Sequence, residues 1–582
     1  MATRLATRAP PITWEGPSRP RRLGLVLTIA LPALALGVLA WRHRWTADDG
    51  FIHFRVVEQL LHGNGPVFNP GERVEASTSP AWVGVLALAK LALPVRLEYL
   101  ALWLSLLASV FGLVASGLGA VPLATGAEPT WASRPNRLLV PCGTLIVVAL
   151  PPFWDYATSG LEMGLTFGWL GACFWATVAY ARASARVQSR RRWWVAVLVG
   201  VGPLIRPDLG VFSVCFLLAL LVVSDRRGWR SRLAMVGAAV AIPAAYELFR
   251  MGYYAALVPN TAIAKSAGTA EWRRGVHYVG NFVRPYWLAV PLALLAVVLA
   301  TLGLRLVRDN ERRLLAVAAA PIVGSALHAL YVVRVGGDYM HARMLLPALF
   351  AFTMPVAVVA VRTRTATVVT SLVAVWALVC AVALRAPGDD RRLAVDSVHK
   401  AHPVTLEDFR NHPWLVYTRQ AKVDLRRYGR VLLIPNGSTS RVLPLLASVD
   451  ARGALAAGAI GMESYAAGTD LFIVDEFGLA DPVGSRFSGQ PLTEKGHDKH
   501  MSTPWVEARV TQPGSDHDFY VAYPAAAARR AMSCGDLARL LHDVQAPLTF
   551  GRFLGNVVDS PRLTRLTVPS DPLKATTRFC GR

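Results

Sequence analysis

Long apolar runs dominate the first two thirds of this 582-residue chain, and they constrain it more than any other feature. From Arg22 to about Arg385 such runs follow one another with only short polar segments between them. A helix needs about 20 apolar residues to cross a bilayer. On that criterion eleven segments are expected to span: 22–41, 98–121, 138–153, 160–182, 192–206, 209–224, 231–249, 287–305, 312–334, 343–361 and 366–385. Residues 1–21, rich in Pro and Arg, are expected to be a disordered cytoplasmic tail, because the apolar run behind them is too long for a cleaved signal peptide. Residues 386–582 read as a soluble, mixed α/β domain. The expected fold class is therefore a polytopic α-helical membrane domain, 22–385, followed by a soluble domain, 386–582.

Charge decides the topology. Charged residues make up 17% of the chain, below the roughly 25% of soluble domains, and the net charge is +23. The basic residues collect in loops between apolar runs, so the positive-inside rule accounts for them and nucleic acid is not an expected partner. The lipid bilayer is. One apolar stretch, 79–93, is ambiguous. If it spanned, the Arg-rich loops at 186–192 and 226–232 would fall outside, against the rule. If it lies in the membrane plane, those loops fall inside together with Arg134, Arg137, 305–313 and 362–364. The second arrangement is the one expected, with 45–97 as an external loop carrying in-plane helices. It also puts every polar cluster with chemical character on the outer side, together with the domain 386–582.

Those clusters are few. Asp48 and Asp49 stand side by side at the exit of the first span; one carboxylate suffices to favour a helix start, which leaves the other for chemistry. Thr158-Ser159-Gly160-Leu161-Glu162 opens a span, where Glu162 suits either the helix dipole or a ligand. Arg206-Pro207-Asp208 separates two short spans and reads equally as a phosphate contact or as a buried ion pair. Pro259-Asn260-Thr261 leads to Lys265, a point charge for a phosphate. Gly336-Gly337-Asp338-Tyr339-Met340-His341-Ala342-Arg343 is dense for a mere connector, and Arg343 suits bidentate phosphate binding. In the terminal domain an apolar strand ends in Asp475-Glu476, and His497 with Asp498 and His500 follows without a metal-type spacing. Cys534 and Cys580 form a disulfide if the domain is extracytoplasmic, whereas Cys142, Cys173, Cys215 and Cys380 read as small core residues.

In this order the motifs resemble the actinobacterial terminal β-(1→2)-arabinofuranosyltransferase family, and also related proteins described as flagellar motor control proteins. Asp48-Asp49-Gly50-Phe51-Ile52, Phe68-Asn69-Pro70-Gly71-Glu72-Arg73-Val74-Glu75, Ser79-Pro80 with Trp82, Ser159-Gly160-Leu161-Glu162, Arg206-Pro207-Asp208, Pro259-Asn260-Thr261 and Gly337-Asp338-Tyr339 carry the resemblance. It implies a GT-C-like fold and a multi-pass enzyme of the cytoplasmic membrane with its active site on the extracytoplasmic face. It further implies a decaprenyl-phosphoryl-arabinose donor and an arabinan acceptor in arabinogalactan and lipoarabinomannan. Donor and product linkage are both β, so net retention is implied, through a covalent carboxylate intermediate or same-face attack.

The site expectations follow. Asp48 or Asp49 is the catalytic carboxylate. Arg206, Lys265 and Arg343 hold the donor phosphate. Glu162, Asp208, Asn260, Asp338, Tyr339, His341, Asp475, Glu476 and His497 contact substrate. A divalent metal is compatible with the pattern, which does not require one. The alternatives are a GT-C transferase for another polyprenyl-phosphate sugar such as mannose, a non-catalytic motor-associated membrane protein, and a transporter. The last fits least, since transporters gather charge at the bilayer midplane and carry internal repeats.

Overall fold

The computed structural model describes residues 19–126, 138–224, 228–385, 403–436, 439–488, 498–515 and 518–581. The tail up to residue 18, Arg134, Arg137, Arg226, the junction after Arg385 and His497 lie outside the described residues. The chain is mostly helical. Six described helices are long and apolar enough to cross a membrane: α1 (Arg19–Arg42, apolar from Leu23), α4 (Leu97–Thr125), α11 (Trp229–Tyr254), α14 (Ala289–Arg308), α15 (Arg312–Val335) and α17 (Arg364–Val382).

The other expected spans take shorter or divided forms. The stretch 138–153 becomes β1 (Leu138–Val140), α5 (Cys142–Ala149) and α6 (Pro151–Tyr156). The stretch 160–182 is α7 (Met163–Arg182), preceded by a turn. The region 192–224 is divided into α8 (Ala185–Gly200), α9 (Gly202–Ile205), a 3₁₀ turn (Pro207–Leu209) and α10 (Gly210–Val223). The stretch 343–361 gives α16 (Leu346–Thr353) and β2 (Val359–Val361), which pairs antiparallel with β1. Prolines sit at the first or second position of α6, α9, the 3₁₀ turn and α16, where a proline starts a helix but cannot continue one. The ambiguous stretch forms α3 (Pro80–Ala92), its N-terminus closed by the Ser79 side chain. Its 13 residues rise only about 20 Å, short of the roughly 30 Å needed to cross.

Helices α4 and α7 pack backbone to backbone. A Cβ on Gly164 would lie 2.1 Å from the Ser105 carbonyl oxygen, and one on Gly171 would lie 2.3 Å from that of Gly112. Small residues are what permits such an approach between apolar helices, since no water is expelled to drive it. This contact fixes the start of α7 and with it Glu162.

The C-terminal part is α/β. A four-stranded sheet runs in the order β4 (Thr439–Pro444), β3 (Val431–Asn436), β5 (Gly453–Ala457), β6 (Leu471–Asp475). The β3–β4 pair is antiparallel; β3–β5 and β5–β6 are parallel, with Ala457 opposite Asp475. Every residue of β5 and β6 is buried, as expected for strands covered on both faces. Cys534 and Cys580 are bonded, with an S–S distance of 2.13 Å.

The α/β part is clamped onto the helical part by α2 (Asp48–Leu61), the first segment after α1. Arg55 of α2 is buried and donates to the carbonyls of Ser464, Gly468 and Leu471 at 2.6–2.8 Å. Arg509 joins Glu72 (2.6 Å) to Asp481 (2.8 Å), with all three side chains buried. Such buried charges are tolerated because each is paired and hydrogen-bonded. The apolar residues of α2, α3, β5 and β6 meet in one core, so this contact is packed like a protein interior.

Candidate active site

Five polar clusters, separated by up to about 290 residues, meet at one end of the helical bundle. Their cavity of about 180 Å³ is lined by Asp49, His53, Glu162, Arg206, Asp208, Lys265, Asp338 and Arg343, with Ile52, Leu161, Tyr331 and Leu479 among the apolar walls. A second cavity, of about 520 Å³, lies against the α/β part. Asp48, Asp49, Lys265 and Tyr339 face Trp414, Tyr417, Glu463, Glu476 and Phe477 across it. Asp49, Ile52, Lys265 and Leu479 line both.

The two adjacent aspartates have different surroundings. Consecutive residues on a helix point about 100° apart, so α2 presents them to different neighbours. Asp48 accepts the backbone N–H groups of Met462 (2.7 Å) and Gly461 (3.2 Å), at the start of the helix Met462–Ala467. Gly461 permits this approach: a Cβ there would lie 2.0 Å from the Asp48 carbonyl oxygen. Burial pushes the Asp48 carboxyl up to about 6, against the bond from Met462 and with the Asp49 charge adding to the rise. Beside it, burial and the Asp48 charge push Glu463 up to about 8.

Asp49 instead faces cations. Arg343 Nη1 is 3.5 Å from its Oδ2, while Arg343 Nη2 pairs with Asp338 at 2.5 Å. Lys265 lies with Nζ 5.9 Å from the Tyr339 ring centroid, on the same wall. Burial pushes Asp49 up, but Lys265, Arg343 and a hydrogen bond from Tyr339 outweigh it and hold this carboxyl below its ordinary range. Asp49 is thus an ionised carboxylate on the wall between two cavities.

Below it is a buried network. Glu162, at the N-cap of α7, stands 3.6 Å from both His53 Nε2 and Arg206 Nη1. His53 Nδ1 is 2.8 Å from the Ser77 hydroxyl. Arg206 holds Asp208 in a two-bond fork, both 3.0 Å, and His328 Nε2 reaches the same carboxylate at 2.7 Å. The Arg–Asp pair read from the sequence therefore forms, and Arg206 keeps Nη1 toward Glu162.

Other expected residues are placed away from the cavities. Asn260 donates to the carbonyls of Gly478, Leu479 and Asp481 at 3.0–3.1 Å and accepts from Ser485, so it joins the two parts of the fold. His341 is buried against Tyr286, 3.1 Å from its hydroxyl. Asp475 is fully buried and accepts the N–H groups of Phe477 (2.9 Å) and Ala480 (2.6 Å), closing the turn after β6. Its neighbour Glu476 does line the second cavity, with His500 Nε2 at 3.8 Å. Among the described residues no three His, Cys, Asp or Glu side chains are grouped to hold a metal ion.

Two residues of this network escaped the motif search, His53 and His328. His328 had a signal: it is an ionisable residue in the interior of an apolar 24-residue helix, a feature that marks functional positions in membranes. His53 follows four residues after Asp49, on the same helical face.

Asp475 carries a pH test. Burial pushes its carboxyl up to about 7, against the bonds from Ala480 and Phe477. Below about pH 4 the folded and unfolded chains both hold the proton, so stability is full there. Between about pH 4 and about pH 7 the unfolded chain releases it while the folded chain keeps it, and stability falls as pH rises. Asp475→Asn is expected to flatten that part of a thermal-unfolding profile; an unchanged slope would remove the assignment.

Long apolar helices, and a carboxylate set among cations at the foot of an α/β domain, define the class: a membrane-embedded protein with the polar groups of an enzyme site. Comparison with known proteins names the family. Residues 447–577 match the AftB family C-terminal domain. Over 96% of its length the chain is 34% identical to the terminal beta-(1->2)-arabinofuranosyltransferase of Mycobacterium tuberculosis, covering 98% of that protein. Over 95% of its length it is 33% identical to the Corynebacterium glutamicum protein of the same name, covering 87% of it. No solved structure matches the chain. The chain belongs to the terminal beta-(1->2)-arabinofuranosyltransferase family.

Proposed function

We propose that this chain transfers D-arabinofuranose from decaprenyl-phosphoryl-arabinofuranose to the non-reducing ends of arabinan, forming the β-(1→2) linkage of cell-wall arabinogalactan and lipoarabinomannan. The observation that carries the reading is the position of Asp49, ionised, on the wall shared by two cavities. A donor and an acceptor approaching from opposite sides meet there. The donor's tail stays in the bilayer, since each buried CH₂ is worth about 0.8 kcal/mol. Its phosphate is drawn to Arg343, Lys265 and Arg206 in the first cavity. As the glycosidic C–O bond breaks, negative charge grows on that phosphate, and fixed cations stabilise it most where water is excluded. The acceptor hydroxyl enters from the second cavity and gives its proton to Asp49.

Asp48, held by two backbone N–H groups, is a positioning residue for the α/β part rather than a second catalytic group. Glu162 and Asp208 share Arg206, and Asp338 pairs with Arg343. Asp49 is then the carboxylate that lines both cavities, which favours same-face attack through an ion pair over a covalent intermediate with a separate base. Asp338, Tyr339 and Glu476 shape the sugar subsites from the cavity walls.

The reading includes a GT-C architecture of about eleven membrane-embedded segments, with α5 to α10 and α16 completing the six long spans. It puts the α/β part on the extracytoplasmic side of the cytoplasmic membrane. The basic ends of α14 and α17 on the opposite side support this by the positive-inside rule, and the Cys534–Cys580 bond supports it by redox compartment. The test is turnover by the purified full chain with synthetic decaprenyl-phosphoryl-arabinofuranose and an arabinofuranosyl acceptor. One β-(1→2)-linked residue is expected in the product. Efficient transfer from a mannosyl donor, or no turnover with either, would replace the reading.

A further inference from the structure

The helix Phe550–Thr564, in the α/β part, turns an apolar stripe outward. It buries Asn556, Ser560 and Leu563, all 0% exposed, and leaves Phe550 (79%), Leu554 (49%) and Val558 (79%) bare. Those three positions, four residues apart, form one stripe along the helix. Leu548, just before the helix, is exposed too, and Arg562, one turn beyond Val558 and paired with Asp536 and Asp559, ends the stripe. A helix that meets water normally buries its apolar face and exposes its polar one. Here the inner face is held by Leu563 and Phe553 as well as by hydrogen bonds, and the outer face is still apolar from Phe550 to Val558, so the outer face answers to a second apolar medium.

The helix sits where such a medium begins. It lies across the last turns of α11: Asn556 Nδ2 donates to the Gly252 carbonyl (2.8 Å), and the Leu257 N–H donates to the Thr564 hydroxyl (2.8 Å). Gly252 is required there, because a Cβ would lie 2.2 Å from the Phe553 ring. From Leu233, the first apolar residue after the basic start of α11, to Gly252 the helix rises about 28 Å, close to the roughly 30 Å of a hydrocarbon core. The exposed Leu248 lies one turn below the crossing, so the bare stripe continues the outward-facing surface of α11. A neighbouring protein is not needed to cover it; the leaflet surface already reaches it.

The geometry points to this helix as an in-plane membrane anchor: Phe550, Leu554 and Val558 insert into the leaflet on the catalytic side and hold the α/β part at a fixed height over the cavity. Anchoring of this kind scales with buried apolar area and uses aromatic and aliphatic side chains at the boundary of the acyl region. Two anchors, α2 and this helix, keep the second cavity from rocking away from Asp49.

The test is spin labelling of the full chain in lipid nanodiscs, at Phe550→Cys, Leu554→Cys and Val558→Cys in turn. The four unbonded native cysteines are buried, so the introduced thiol is the one that reacts. Leu248→Cys serves as the lipid reference and Lys574→Cys as the aqueous one. All three labels are expected to collide with oxygen in preference to a water-soluble nickel complex, as the Leu248 label does. Collision with the nickel complex as free as at Lys574 would overturn the proposal. Because none of these positions lines either cavity, arabinosyl transfer by the labelled variants reports separately on the proposed function.

Discussion

Asp49→Asn is expected to lower kcat by about 10²- to 10⁴-fold, the range a positioned general base contributes, while donor binding is retained. The asparagine is isosteric and keeps the helix start, so the fold should not suffer. Asp48→Asn is expected to keep most of the activity, because an amide oxygen still accepts the Met462 N–H at the 2.7 Å contact. Asp48 is already pushed up to about 6 by burial, so the amide resembles the form it adopts at mildly acid pH. Asp48→Ala removes the cap and should cost roughly 1 kcal/mol in stability, as other cap deletions do. The measurement is single-turnover transfer by both aspartate variants, with thermal unfolding as the control for folding. If the Asp48 amide were the inactive one and the Asp49 amide active, the catalytic assignment would pass from one residue to its neighbour.

That choice between neighbours was not legible in the sequence, and the reason is geometric. Two consecutive aspartates are equivalent as a motif, and only their partners distinguish them. Asp48 finds its partners at Gly461 and Met462, more than 400 residues away, and Asp49 finds Arg343, about 290 away. What was legible was the sorting of charge. Arginines in alternate loops separated the ends of the apolar runs, and the clusters left at the other end are the ones that line the first cavity. The stretch 79–93 forms α3, which runs from the Ser79 cap to Leu93 and is too short to cross.

Residues that hold backbone were the least legible. Asn260 and Asp475 sit in polar motifs beside residues that line the cavities, yet their oxygens and nitrogens are committed to carbonyl and N–H groups. A side-chain amide or carboxylate that satisfies a buried turn looks, in one dimension, like one that meets a ligand. Span counting by apolar length also merged elements that proline divides. The region 192–224 reads as two spans around a charged break, but Pro203 and Pro207 partition it further, and that partition is what brings Arg206 inward to Glu162.

Arg343 is the cation on which the electrostatic part of the mechanism rests, and its substitutions should have the second large effect. It touches Asp49 with one nitrogen and Asp338 with another, from a loop entered through Ala342 at positive φ. Removing it entirely, as in Arg343→Ala, would leave the Asp338 carboxylate buried without its partner, at a cost of about 3–5 kcal/mol for a broken buried pair. Loss of activity there would not separate catalysis from folding. Arg343→Lys does separate them. A lysine retains one charge for Asp338 but has no planar fork with which to reach Asp49 and a phosphate together. The expected result is a folded protein whose kcat falls by about 10²- to 10³-fold, the effect of losing one preorganised donor to developing charge. The KM for the donor should change far less, because the charge it stabilises grows only as the bond to phosphate breaks. An Arg343→Lys enzyme with wild-type kcat and a raised donor KM would mean that this guanidinium anchors the ground-state phosphate and leaves the transition state to Lys265.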